Sequence, residues 1–239
     1  MLRDGAPTLV LTGAGVSAES GLATFRGSGG LWEGRDPMDI ATPEAFTRDP
    51  VDVWRFYAWR RRQAAAARPN PGHVALAGLE AALPQFVLAT QNVDGLHQRA
   101  GSRRVVELHG SLWTLRCTRD GRSSTDTSLD FPEVPPRCSC GAMLRPGVVW
   151  FGEMLPEEAM ARAERAARSA RVVIVAGTSS LVFPAAGLPA IARDGGAWIV
   201  EVNPEVTPLS PSASERLVGP SGTILPLLAA ALGVASGPS

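Results

Sequence analysis

Five short aliphatic runs stand out along the chain: Thr8 to Thr12, Phe86 to Thr90, Val105 to Leu108, Val172 to Ala176 and Trp198 to Val202. Each is mostly apolar at consecutive rather than alternate positions, with Glu107 and Glu201 the charged exceptions, the pattern of a strand covered on both faces. Helical spacing separates them. One helix is expected to begin at Pro156, with Glu157 and Glu158 in its first turn and Arg162, Arg165 and Arg168 further on, an order that complements the helix dipole. A second is expected over His73 to Leu83, and a short closing helix over Leu225 to Leu232 before a Gly/Ser/Pro end. Strands alternating with helices predict an α/β fold around a parallel sheet.

Two segments break this alternation. Residues 27 to 68 are rich in Trp and Arg at helical spacing, and residues 113 to 145 are polar, turn-rich and contain every cysteine. They are expected to be two insertions forming a smaller module. The larger part then comprises about 1–26, 69–112 and 146–239, within one catalytic domain spanning 1–239.

Composition narrows the function. A chain of 239 residues with 45% hydrophobic content buries a sizeable core and is not disordered. Lys+Arg and Asp+Glu both number 23, so no net charge is available for phosphate neutralisation and nucleic acid is not an expected partner. All 23 basic side chains are arginine. No apolar run approaches the ~18 to 20 residues that span a bilayer, and the first fifteen residues lack a basic segment followed by a long apolar one. The expectation is a cytoplasmic protein without a membrane partner. The three cysteines, Cys117, Cys138 and Cys140, are too few for a disulfide framework, and their clustering points to a metal.

The first strand runs into Gly13-Ala14-Gly15-Val16-Ser17-Ala18. Such a turn lets backbone N–H groups approach a pyrophosphate at a helix N-terminus, although the same spacing also serves ordinary turns. The acidic ribose-binding residue expected ~20 residues further on in dehydrogenases is absent, because Gly27 to Trp32 continues as a Gly-rich loop. An ordinary dehydrogenase is thereby disfavoured.

Taken together, Gly13-Ala14-Gly15-Val16-Ser17, Thr24-Phe25-Arg26, Gln91-Asn92-Val93-Asp94-Gly95-Leu96-His97 and His109-Gly110 resemble the sirtuin family of NAD-dependent protein deacylases. Further matches are Leu144-Arg145-Pro146, Val148 to Glu153, Gly177-Thr178-Ser179-Ser180 and Glu201-Val202-Asn203. The resemblance implies a Rossmann-type sheet with a smaller helical and zinc-ribbon-like module, and a cleft where NAD meets an acyl-lysine protein or peptide. It implies NAD contacts at Gly13, Ala14, Gly15, Ser17, Ala18, Phe25, Arg26, Gln91, Asn92, Asp94, Gly177, Thr178, Ser179 and Asn203. His109 matches the catalytic base, acting with Asn92 and Asp94. The amide oxygen of the substrate would be held against C1′ of the nicotinamide ribose while nicotinamide departs, and His109 would take a proton from a ribose hydroxyl. The implied products are nicotinamide, deacylated lysine and O-acyl-ADP-ribose. Without that context Asn92 and Asp94 also read as an Asx-turn after a strand, and each of His73, His97 and His109 as a structural histidine.

Tyr57 and Arg60 lie three apart and share a helix face, where a phenol and a guanidinium can grip a carboxylate. The pair resembles that of class III sirtuins, which binds succinyl- or malonyl-lysine, and Ala41 matches the small residue that leaves room there. A solvated basic face with Arg61 and Arg62 is the other reading. Val149 and Phe151 are implied to bind the peptide as an added strand. The family's structural zinc falls to Cys117, Cys138 and Cys140, with Asp120 where a fourth cysteine is expected. Water, Asp126, Asp130 or a module folded without zinc remain open. Other functions on the same cleft are transfer of ADP-ribose to a protein and noncatalytic binding of NAD or acyl-peptide. Oligomeric state is not legible in the sequence.

Overall fold

The computed structural model describes residues 5–24 and 36–234. In chain order the elements are β1 (Thr8–Thr12), α1 (Gly15–Ala18), α2 (Pro43–Arg48), α3 (Pro50–Ala66), α4 (Pro71–Ala82), β2 (Phe86–Thr90), α5 (Leu96–Arg99), β3 (Val105–Glu107), β4 (Gly110–Cys117) and β5 (Ser123–Thr125). They continue with β6 (Leu144–Val148), α6 (Glu157–Ser169), β7 (Val172–Ala176), α7 (Leu188–Asp194), β8 (Trp198–Val202), β9 (Glu215–Leu217) and α8 (Ser221–Ala231).

Six parallel strands form a sheet in the order β3-β2-β1-β7-β8-β9. Strand β1 carries Leu9 and Leu11 to one face and Val10 to the other, so both faces need cover. On the first, Leu9, Leu11, Val173 and Val175 pack with Ala163 and Ala167 of α6 and Leu188 of α7. On the second, Val10, Leu88 and Ile174 meet Leu76 and Leu79 of α4 and Leu225 of α8. This explains the unbroken apolar strands. Between β1 and β7 the strand order reverses direction, and a crevice opens beyond their C-terminal ends, the usual ligand position in open α/β sheets.

A second, antiparallel sheet, β5-β4-β6, packs with α2 and α3 around Trp54, Tyr57, Leu112, Leu115, Val148 and Trp150. Helix α3 starts where Asp49 accepts a hydrogen bond from the Asp52 N–H and Pro50 occupies the first turn. The Trp54 indole ties it to the sheet through the Leu144 carbonyl at 2.8 Å.

Several boundaries differ from expectation. The small sheet begins at Gly110 and ends at Val148 rather than staying within 113–145. The third strand stops at Glu107, and the closing helix begins at Ser221, four residues before Leu225, and runs through Pro226. Strand β9 went unread, being three residues long and paired only with β8. Among the described residues, no helix is long and apolar enough to cross a membrane.

Candidate functional site

The crevice is built by two loops that touch backbone to backbone. Gly13 N–H reaches the Ala176 carbonyl at 3.1 Å and Gly15 N–H the Gly177 carbonyl at 2.8 Å. A side chain on Gly177, whose φ is +57°, would meet Val16 N at 2.3 Å. Asn203, beyond β8, donates through Nδ2 to the Thr178 carbonyl at 2.9 Å, and Gln91 Nε2 donates to Thr178 Oγ1 at 3.0 Å. Four strand ends thus converge on one loop. Ser179 is exposed beside it. Phe25 and Arg26, expected to contact the dinucleotide, lie outside the described residues.

Ser17, at the start of α1, organises the polar groups. Its hydroxyl donates to Asp94 Oδ2 at 2.8 Å and accepts from Asn92 Nδ2 at 3.2 Å. The His73 ring lies 3.4 Å away through Nε2. Because His73 Nδ1 accepts from the Asn70 N–H, its proton resides on Nε2 and that nitrogen is the donor to Ser17. Asp94 Oδ1 meanwhile accepts from Leu96 N–H at 2.8 Å, closing an Asx-turn, while Oδ2 faces Ser17 in the crevice. Asn92 is left with Oδ1 buried and without a partner among the described residues. That acceptor points to a ligand carrying N–H or O–H groups.

His97 packs on His73, ring centroids 4.8 Å apart, and Nε2 lies 2.9 Å from Thr12 Oγ1. Burial pushes His73 down to about 4, with the Asp94 charge opposing, and His97 down to about 3. Both stay neutral at physiological pH and brace the site.

His109 differs from them in standing at the start of β4 with one ring edge committed. Its Nδ1 lies 3.1 Å from the Gln91 carbonyl, which can only accept, so the neutral ring carries its proton there and leaves Nε2 as a lone pair. Burial lowers its pKa, the Gln91 contact partly opposing. A neutral imidazole with a fixed tautomer can take up a proton at neutral pH.

On the other side, Arg60 lines a pocket with Ala14, Ser17, Asn92, Val93 and Asp94. Burial lowers its pKa while Tyr57 and Asp94 raise it. Tyr57 is buried one turn away, next to Ala41, Phe46 and Trp150 in the same core. The segment after β6 hangs between the two parts: Val149 N–H donates to the His109 carbonyl and Phe151 N–H to that of Ala41, both at 2.9 Å. Phe151 is half exposed. This helix face is therefore no solvated basic surface. Arg61 is buried and reaches the carbonyls of Leu112 and Asp126 and the Asp126 carboxylate, whereas Arg62 remains at the surface with Asp130.

The three cysteine sulfurs lie within 4.8 Å of one another. The Cys140 N–H, and then the neighbouring thiols, bring the Cys138 thiol down to about 7, favouring the thiolate. Soft donors gathered this way can hold one zinc ion. Asp120 adjoins the cluster through the Cys117 thiol but is not one of its mutually close ligand atoms. Its carboxylate accepts from Arg122 N–H at 3.0 Å and from Arg122 Nε at 2.7 Å, and these contacts hold its carboxyl down at about 2. Asp126 and Asp130 are likewise paired with arginines.

A model of the Sir2 family matches residues 13–184, more than half of the chain. The chain belongs to the Sir2 family. It is 54% identical over 203 residues to the NAD-dependent protein deacylase of Aquifex aeolicus (strain VF5), covering 84% of this chain and 85% of that protein. Its fold superposes on a Sir2 homolog–NAD complex with a TM-score of 0.92 at 48% identity, over 97% of this chain and 91% of the other. A Sir2–p53 peptide–NAD+ complex superposes with a TM-score of 0.85 at 33% identity, over 98% and 97%.

For a sirtuin, the residues fit NAD: the orphaned Asn92 Oδ1 and the glycine-lined loops stand where a dinucleotide needs acceptors and close backbone approach. Two further residues of this Sir2 chain escaped the sequence. Trp113 Nε1 donates to the Asp94 carbonyl at 2.8 Å and leaves room only for glycine at 95. Trp150 Nε1 donates to the Tyr57 hydroxyl at 3.0 Å. The apolar run Val148 to Phe151 was the available signal for Trp150.

Proposed function

We propose that this NAD-dependent protein deacylase prefers acyl-lysines whose acyl group ends in a carboxylate, succinyl and malonyl ahead of acetyl. The observation carrying this reading is that Arg60, one helical turn from Tyr57, faces the pocket that also contains Asn92 and Asp94. A partly desolvated guanidinium there attracts a carboxylate more strongly than one in water. Ala41, as a small residue in the same core, leaves space for a longer acyl chain.

NAD supplies an electrophilic ribose carbon when bound. Asn92 Oδ1 orients its nicotinamide end by accepting a hydrogen bond, held in place by Ser17 through Asn92 Nδ2. His109 takes a proton through Nε2 while the Gln91 carbonyl holds Nδ1–H. Val149 and Phe151 lie beside the acyl-lysine backbone. The related complex that holds a p53 peptide and NAD+ together supports one shared cleft.

The test offers acetyl, malonyl, succinyl and glutaryl lysine on one peptide backbone with NAD, and identifies products by mass. The chain contains no lysine, so every lysine acyl group in the reaction comes from the substrate. O-acyl-ADP-ribose is expected, with kcat/KM for succinyl and malonyl about tenfold or more above acetyl. Equal or better deacetylation sinks the acyl preference. ADP-ribosylated protein without acyl loss sinks deacylation itself.

A further inference from the structure

We infer that Trp150 is a positioning residue for acyl specificity: its indole fixes the Tyr57 hydroxyl as a hydrogen-bond donor toward the acyl group, without itself touching that group. The inference rests on the carboxylate preference proposed above.

It follows from the inventory of donors. An indole Nε1 can only donate, so at 3.0 Å the Tyr57 oxygen is the acceptor. A guanidinium also only donates, so Arg60 offers the phenol hydrogen no acceptor. With its acceptor side met by Trp150, the hydroxyl turns its hydrogen to whatever acceptor enters beside Arg60. A carboxylate supplies that acceptor and the terminal methyl of an acetyl group does not. Burial pushes the phenol up to about 12, the Arg60 charge opposing, so the hydrogen stays in place at all working pH values.

The indole is held firmly enough to act this way. Trp150 is 3% exposed. Its ring lies 5.3 Å from that of Phe46, and the Arg145 guanidinium sits over it at 3.4 Å. Its backbone N–H donates to Glu153 Oε2 at 2.8 Å, and that carboxylate pairs with Arg145. Because Trp150 lies between Val149 and Phe151, it also joins the peptide-side segment to the acyl pocket.

The experiment measures kcat/KM on succinyl and acetyl peptides of one backbone for Trp150→Phe, Tyr57→Phe, the double variant and Arg60→Met. Trp150→Phe should lower desuccinylation about 3- to 10-fold, mainly through KM, and deacetylation by less. In the Tyr57→Phe background it should add little, since the donor then has nothing to orient. Placing β-(3-benzothienyl)alanine at position 150, which keeps the bicyclic ring and replaces only the N–H with sulfur, repeats the test without altering packing. Parallel loss on both peptides, or multiplicative effects of the two single variants, overturns the inference while a selective Arg60→Met preserves the carboxylate reading. An unselective Arg60→Met removes that reading and the inference with it.

Discussion

On the sheet side of the cleft, main chain meets main chain. Gly13, Gly15 and Gly177 admit no added carbon, and Ser17, Asn92, Asp94 and His73 use nearly every polar atom on one another. On the module side, Arg60 of α3 faces the pocket, with Tyr57, Trp150 and Ala41 in the core beside it. The first construction tolerates little change because each substitution displaces backbone. The second can alter its ligand by changing one side chain. The sheet side is therefore fixed by backbone packing, and the module side by replaceable side chains.

The comparison breaks most visibly at His109. His109→Ala should lower turnover about 100 to 10,000-fold while circular dichroism shows an intact fold, because the lost group handles a proton rather than packing the core. A folded variant retaining more than a tenth of the activity ends its assignment as the base.

Arg60→Met sharpens the contrast from the module side. Loss of a hydrogen bond to a charged group corresponds to roughly 10 to 150-fold in kcat/KM for succinyl and malonyl peptides. Deacetylation should change much less, and equal losses would assign Arg60 to the fold instead.

Gly177→Ala should act oppositely, on all acyl peptides alike. Its Cβ would lie 2.6 Å from the Gly15 carbonyl carbon at a φ of +57°, so about 1–3 kcal/mol of stability is expected to vanish, with a raised KM for NAD. Thermal unfolding unchanged to within a degree would contradict this close approach.

Acid should loosen the sheet side first. His73 and His97 are buried and neutral, with folded pKa values of about 4 and about 3, below the ~6.5 of an unfolded chain. The unfolded state binds more protons below that value, so stability is full above pH ~6.5 and declines as pH falls towards 4. Two such protons give a slope of up to about 2.7 kcal/mol per pH unit. A urea midpoint that is the same at pH 7 and pH 5 would show that these rings are not held neutral.

The smallest effect concerns the metal. One zinc per chain is expected in protein purified without added metal, bound through Cys117, Cys138 and Cys140. Asp120→Asn should leave the zinc content nearly unchanged, because Arg122 already occupies that carboxylate. Loss of zinc in this variant would restore Asp120 as the fourth ligand.

The long apolar strands were legible because burial on both faces removes alternation, and the helix after Pro156 because its charges follow the dipole. The short pairs β5 and β9 were not, since three residues carry no period and form only against a neighbour. Asn92, Asp94 and His109 could be placed by motif. Their hydrogen-bond directions could not, because these depend on Ser17 and Gln91 arriving from other strands. That Tyr57 and Arg60 share a helix face was visible in helical spacing, but Trp150, which meets Tyr57, comes from 93 residues away. The pairing of Asp120 with Arg122 was not legible, because the cysteine pattern says nothing of an arginine two residues later.

The position of β1 in the sheet bears on how the chain is made. Thr8 to Thr12 is made before the other strands of the sheet and gains β2 on one edge, but its other neighbour, β7, is synthesised only after both excursions into the small module. For most of the synthesis of these residues a strand that ends up wholly buried therefore presents an unpaired edge, the kind of template that recruits other chains. Nascent chains ending between β6 and β7 should be the most prone to aggregate, and extending them past Ala176 should relieve it.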